Sequence, residues 1–280
     1  MTFAAMCLSG MAWAETSPEN ASDPSSPRTI RVLSYNIHHA EGTDGKLDLE
    51  RIAQVIRSSK ADVVALQEVD RNTLRTQKVD QASKLAELTE MKHAFGANIA
   101  LQGGEYGNAV LSKFAIIRSQ NVLLPRLNGG EQRGVLQAEI QLSPTDPPLL
   151  FFATHFDHRS EDAERISSSR YINQLLTKRP SALAILAGDL NDVPDSYPLK
   201  ELEKHWQRTN DLPMPTIPVA QPTRQIDFVL VSPANRWSVL ETRVLEEPIA
   251  SDHRPILATL RIDEAEGASG VAGVDGVESE

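Results

Sequence analysis

The chain is predicted to fold as a mixed α/β sandwich, and three observations carry that expectation. Strand-like apolar runs recur from about position 29 to about position 263. Segments with helical spacing interrupt them in both halves, rather than alternating regularly as in a parallel βαβ fold. No long linker and no solenoid-period repeat divides the span, so one domain over 29–263 accounts for it. With 280 residues, the chain is long enough for one large core.

The body opens on TIRVLSYNI, a strand. LERIAQVIRSS follows, with Leu49, Ile52, Val55 and Ile56 at the spacing of one helix face. ADVVALQEV reads as a buried strand, and QASKLAELTEM, with Leu85 and Leu88, as a helix. GNAVLSKF, RGVLQAEIQL and PLLFFATHF read as consecutive strands. RISSSRYINQLLTK is helical, with Ile172, Leu175 and Leu176 on one face. SALAILAGDL, QIDFVLVS, WSVLETRVLE and RPILATLRI complete the body as strands.

Outside the body, FAAMCLSGMAWA ends Ala12-Trp13-Ala14 ahead of polar residues, which reads as a signal peptide over 1–14. A periplasmic or secreted location is expected from it. Residues 15–28 read as a linker and 264–280 as a disordered acidic tail. The one cysteine, Cys7, lies in the signal segment, so the body has no disulfide. No run approaches the ~18 apolar residues of a membrane span, and no transmembrane anchor is expected. The formal charge of -10 is concentrated at the ends. Setting aside nine carboxylates there leaves 29 acidic against 28 basic residues. That balance does not exclude a polyanionic substrate, and it lacks the basic footprint of a tight nucleic-acid binder.

Seven apolar runs end in polar clusters: SYNIHH, LQEVD, YGNAVLS, ATHFDH, GDLND, QIDFVL and SDHRP. A strand that only builds core has no need of such endings. Their carboxylates, carboxamides and imidazoles suit a hard divalent cation and a phosphate. Glu68, with Asn36 ending the neighbouring strand, makes an oxygen-donor pair; alone, it reads equally well as a strand-end salt bridge. Asp189 and Asn191 sit at a two-residue spacing and can hold a water or a phosphate oxygen; alone, they read as an Asx-turn. An EF-hand is excluded because its sixth position, a glycine, is Pro194 here. Asp227 and His253 suit a carboxylate–imidazole pair. His155 is a second imidazole, catalytic or structural. There is no G-x-S-x-G elbow, Walker loop or dinucleotide fingerprint.

The ordered set SYNI, LQEVD, GNAVLSK, THFDH, GDLND, IDFVL and SDHRP resembles the endonuclease/exonuclease/phosphatase superfamily over about 31–261. The resemblance implies a four-layer sandwich of two mixed, mainly antiparallel sheets flanked by helices. It implies Mg²⁺-dependent phosphoester hydrolysis, with Mn²⁺ or Ca²⁺ as possible substitutes. By position, Asn36, Glu68 and Asp252 correspond to metal ligands. His155, Asp189, Asn191, Asp227 and His253 correspond to the catalytic set. Asn108 and Arg133 lie near phosphate-contacting positions. His38, His39 and His158 exceed the minimal pattern, either as packing or as contacts of a subgroup's substrate. The stretch QGGEYGNAVLSK also resembles the luminal domain of proteins that remodel glycosylphosphatidylinositol anchors. A lipid or small phosphodiester is therefore favoured as substrate for a monomeric enzyme. The alternatives are a secreted nuclease or a catalytically silent binding module on the same fold.

Overall fold

The computed structural model describes residues 29–264. The expected signal segment, the linker and residues 265–280 of the expected tail lie outside them. Twelve strands form two six-stranded sheets. In the first, β1 (Thr29–Asn36), β2 (Val63–Arg71), β3 (Lys92–Leu101), β4 (Gly104–Ser112), β11 (Trp237–Val244) and β12 (Ile256–Ile262) run in the order β11-β12-β1-β2-β4-β3. In the second, β5 (Ala115–Leu123), β6 (Gly134–Gln141), β7 (Leu149–His155), β8 (Ala184–Asp189), β9 (Gln207–Arg208) and β10 (Asp227–Ser232) run β5-β6-β7-β8-β10-β9. Only β1–β2 and β7–β8 pair in parallel, at the middle of each sheet. The connections are crossover helices, α1 (Leu49–Ser59) and α3 (Ala163–Leu176).

Period-two alternation sorts each central strand between two cores. Val32, Val63, Phe151, Ile185 and Val229 face the layer between the sheets. Leu33 and Leu66 pack outward beneath α1 and α2 (Gln81–Thr89) with Ile52 and Leu85. Phe152, Leu186 and Phe228 pack beneath α3 and α4 (Tyr197–Leu202) with Ile172 and Leu199. The result is helix, sheet, sheet, helix. Burial on both faces is why the central strands read as continuous apolar runs.

The helix starts are encoded locally. Asp48 and Asp80 cap α1 and α2 by accepting the amides of Arg51 and Ser83 at 2.9 and 3.1 Å. The strands β3, β5 and β9 and the helix α4 were not expected. All three strands are sheet edges, and β5 is largely exposed, so their sequences carry little apolar pattern. GNAVLSKF and RGVLQAEIQL are consequently not consecutive strands. They are β4 and β6, in different sheets, with β5 between them.

Candidate active site and metal centre

The candidate site grows out of the layer between the sheets. Along β7, β8 and β10 the residues facing that layer are 151 and 153, then 185 and 187, then 229 and 231. The next positions in the same rows are His155, Asp189 and Asp227. Parallel register sets His155 beside Asp189, and antiparallel register sets Asp189 opposite Asp227. Apolar packing thus fixes three polar side chains side by side at one sheet end. From the other sheet, Asn36 ends the inward row of Ile30 and Val32. Its Nδ2 donates to Glu68 Oε1 at 3.0 Å and to Asp189 Oδ2 at 3.1 Å, joining the two sheets.

Simple alternation would send Glu68 toward the helices. The β2–β4 register instead shifts between Leu66 and Val69, and Glu68 adopts φ 58°. This bulge turns the carboxylate back toward Asn36, at a cost of roughly 1–2 kcal/mol for a left-handed non-glycine residue.

His253 arrives on the loop before β12. Its Nδ1 lies 2.9 Å from Asp227 Oδ2, which also accepts Thr216 Oγ1 at 2.6 Å. Its Nε2 lies 3.8 Å from Asp189 Oδ2. Burial opposes charge on His253, but Asp227 and then Asp189 outweigh it and push the pKa up to about 10. Burial raises the Asp189 carboxyl, and the negative charge of Asp227 adds to the effect.

His155 is the opposite case. Burial, then the charge of Arg133, holds its pKa well below the usual value, so it is neutral. Arg133 Nη1 sits 3.1 Å from His155 Nδ1, and a guanidinium can only donate. Nδ1 is therefore the acceptor and Nε2 carries the proton. That Nε2–H faces Asp189 Oδ2, an acceptor, at 3.4 Å; the Asn191 amide nitrogen 3.0 Å away is itself a donor, serves the Phe156 carbonyl at 3.1 Å, and is a neighbour of Nε2 and not its partner. The second arm of Arg133, Nη2, makes the same contact to His158 Nδ1 at 3.2 Å. Arg133 is 4% exposed, and its Nε has no partner.

Seven of the residues singled out in the sequence therefore meet: Asn36, Glu68, His155, Asp189, Asn191, Asp227 and His253. Asn191 does so from beyond the strand, with φ 49°, rather than by strand alternation. Asp252 is half-buried and tied in indirectly. Ser251 Oγ donates to the Asn36 carbonyl at 2.7 Å and lies 3.3 Å from Asp252 Oδ1. Asn108 is fully buried behind the site. Its Nδ2 donates to the Gly134 carbonyl at 3.0 Å, beside Arg133.

Arg133, His155, His158, Asn191 and His253 line a cleft of about 220 Å³, to which Arg224 and Ile217 also contribute. Arg224 and Thr216 had no signal in the sequence, because they sit on an irregular segment preceding IDFVL. His158 was visible there only as a surplus histidine. His38 and His39 lie close to Glu68. His39 is held below the usual histidine pKa by burial and then by Arg75.

Glu68 and Asp189 meet across Asn36, Asp227 lies beside Asp189 and pairs with His253, and Asp227 Oδ1 is buried without a partner. Oxygen donors with surplus negative charge fit a hard divalent cation. Neighbouring imidazole and guanidinium N–H groups fit the anion such a cation would accompany.

Comparisons with known proteins bear on the family and the fold. Residues 33–253 match the model of the Endonuclease/Exonuclease/phosphatase family. The protein YbhP of Escherichia coli (strain K12), itself uncharacterised, is 27% identical over 249 residues, covering 84% of this chain and 97% of YbhP. A crystal structure of an endonuclease/exonuclease/phosphatase from Beutenbergia cavernae superposes with a TM-score of 0.69 at 26% identity, over 86% of this chain and 73% of that one. A mannosyl-6-phosphatase of Bacteroides thetaiotaomicron superposes with a TM-score of 0.68 at 19% identity, over 82% and 99% of the two chains.

Proposed function

The chain belongs to the endonuclease/exonuclease/phosphatase family, a superfamily of phosphoester hydrolases, and from that premise we propose that it is an exported, Mg²⁺-dependent phosphodiesterase acting on a lipid or small phosphodiester. The observation that carries this reading is Asn36 Nδ2 spanning Glu68 and Asp189. It brings an oxygen-donor pair from one sheet against a histidine–carboxylate cluster from the other.

Glu68 and the Asn36 carboxamide would hold the cation, with Asp252 alongside; Mn²⁺ or Ca²⁺ are substitutes. When bound, it supplies Lewis-acid stabilisation of charge on the phosphate. The remaining work belongs to the chain. His253, oriented by Asp227 and holding its proton up to about pH 10, donates to the phosphate. Neutral His155 presents Nε2–H to the charge that develops on oxygen, and Arg133 holds it in that tautomer. Asp189 and Asn191 position water and phosphate. Arg133 and Arg224 supply positive charge for the substrate's remaining oxygens.

The small cleft suits a compact headgroup better than an extended polymer track. One structural neighbour is a mannosyl-6-phosphatase, which is a reason to include sugar phosphates among the substrates tried. The test is a screen of the purified protein with Mg²⁺, Mn²⁺ and Ca²⁺. It spans bis-p-nitrophenyl phosphate, phosphatidylinositol, sphingomyelin, inositol and sugar phosphates, and plasmid DNA. Turnover of a lipid or small diester well above the rest is expected. Preferential cleavage of DNA would replace this reading with the nuclease, and export is tested separately by fractionation of cells.

A further inference from the structure

We propose that His38, His39 and Glu68 form a second cation site, for a borderline transition-metal ion of the Zn²⁺ class, beside the Asn36–Glu68 pair. One donor atom from each of the three residues lies within 4.8 Å of the other two. Two imidazoles and a carboxylate suit a borderline ion rather than Mg²⁺, and they leave coordination positions open for water or substrate.

The ring orientations support ligation. Glu41 addresses both rings. Its carbonyl oxygen is 3.1 Å from His38 Nδ1, and a carbonyl can only accept, so Nδ1 carries the proton and Nε2 keeps its lone pair. Its carboxylate Oε2 is 3.5 Å from His39 Nε2, and that leaves Nδ1 of the same ring to offer a lone pair. An oxygen acceptor on the far nitrogen is what commonly fixes the tautomer and ring orientation of a ligating histidine.

The independent observation is His39 Nδ1. It is buried and has no hydrogen-bond partner, in a residue only 7% exposed. A buried polar atom left unpaired loses its water partners and gains none in return. Coordination would remove that cost.

The backbone holds the arrangement against its own preference. His38, His39 and Ala40 take φ of 45°, 44° and 63°, three left-handed non-glycine residues in succession. Gln81 Nε2 donates to the His39 carbonyl at 2.7 Å and the Asp48 amide to the Ala40 carbonyl at 2.9 Å, pinning the turn. The two rings meet edge to face with centroids 4.6 Å apart.

The site shares only Glu68 with the proposed hydrolytic centre, and its test reads binding rather than turnover. Full-length protein stripped with chelator is titrated with Co²⁺, whose visible absorption and paramagnetic shifts report its ligands. With the hydrolytic centre kept filled by excess Mg²⁺, one Co²⁺ per chain is expected at this site, with affinity lowered by about tenfold or more in His38→Ala and in His39→Gln. Binding should survive in Asn36→Ala and His253→Ala. Circular dichroism checks each variant. If one unfolds, the wild-type protein decides, because its shifted imidazole resonances should be those of His38 and His39. Shifted resonances from His155 and His253 instead, unaltered affinity in both folded histidine variants, or no stoichiometric Co²⁺ would overturn the site. Mg²⁺-dependent hydrolysis alongside any of these results would leave the proposed activity standing.

Discussion

At the scale of the residue, the two histidines of the site are set to opposite states by their neighbours. His253 has a carboxylate at 2.9 Å and takes a proton readily; His155 has a guanidinium at 3.1 Å and refuses one. Replacing His253 by Ala should lower kcat by about 10²- to 10⁴-fold with the fold intact, since that is the usual range of general acid–base help. Steady-state kinetics on bis-p-nitrophenyl phosphate measures it, and full activity in the variant would remove the Asp227–His253 pair from the mechanism. The pair also has a signature in stability. Its folded pKa of about 10 lies above the ordinary histidine value of 6.5, so the folded protein holds a proton that the unfolded chain has lost between those limits. The stabilisation is complete below about pH 6.5 and disappears as pH rises through 10. Urea midpoints of chelator-treated protein should therefore fall from pH 7 to 10, with a slope of up to about 1.4 kcal/mol per pH unit. Asp227→Asn should flatten that slope. The types of these residues were legible in GDLND, QIDFVL and SDHRP. The protonation states were not, because they depend on burial and on neighbours brought together by the fold, Arg133 beside His155 and Asp227 and Asp189 beside His253.

At the scale of the element, the site is a matter of strand arithmetic and two departures from it. His155, Asp189 and Asp227 continue rows that the inter-sheet core has already oriented. Those rows were legible as apolar runs with polar endings. Glu68 departs from its row through the bulge in β2, which no residue of VVALQEV announces. Glu68→Gly relieves the left-handed strain, so the metal-free protein should be as stable as the parent or about 1 kcal/mol more stable in urea, while losing activity by about 10²-fold or more. A large loss of stability instead would show that the bulge is not strained. Gly188 is the second departure. It lies within β8, where a Cβ would stand 2.1 Å from the Thr154 carbonyl oxygen. Gly188→Ala must push β7 from β8 and separate His155 from Asp189. A destabilisation of about 1–3 kcal/mol, together with a lowered kcat, is expected from unfolding curves and kinetics. The edge strands β3, β5 and β9 were not legible, because an exposed edge needs no apolar pattern.

At the scale of the whole molecule, each sheet places one parallel strand pair at its centre, and the two pairs deliver their ends to one place. Asn36 comes from one pair and His155 and Asp189 from the other, so neither sheet holds the site alone. The order of motifs along the chain made this convergence legible through the family it resembles; the joining hydrogen bond needed the structure. Among the described residues, no helix is long and apolar enough to cross a membrane. The body's near-balanced charge predicts weak salt dependence on a small diester. A nuclease would lose activity steeply as salt rises, in proportion to the phosphates it contacts. The central claim is that a divalent cation held at Asn36 and Glu68 drives phosphoester hydrolysis. Its most direct test is the rate of bis-p-nitrophenyl phosphate cleavage by chelator-stripped protein, before and after Mg²⁺ is restored, in the parent and in Glu68→Gln. Loss of activity on stripping, recovery with Mg²⁺ in the parent and little recovery in Glu68→Gln are expected; undiminished cleavage in excess EDTA would show that no bound cation takes part.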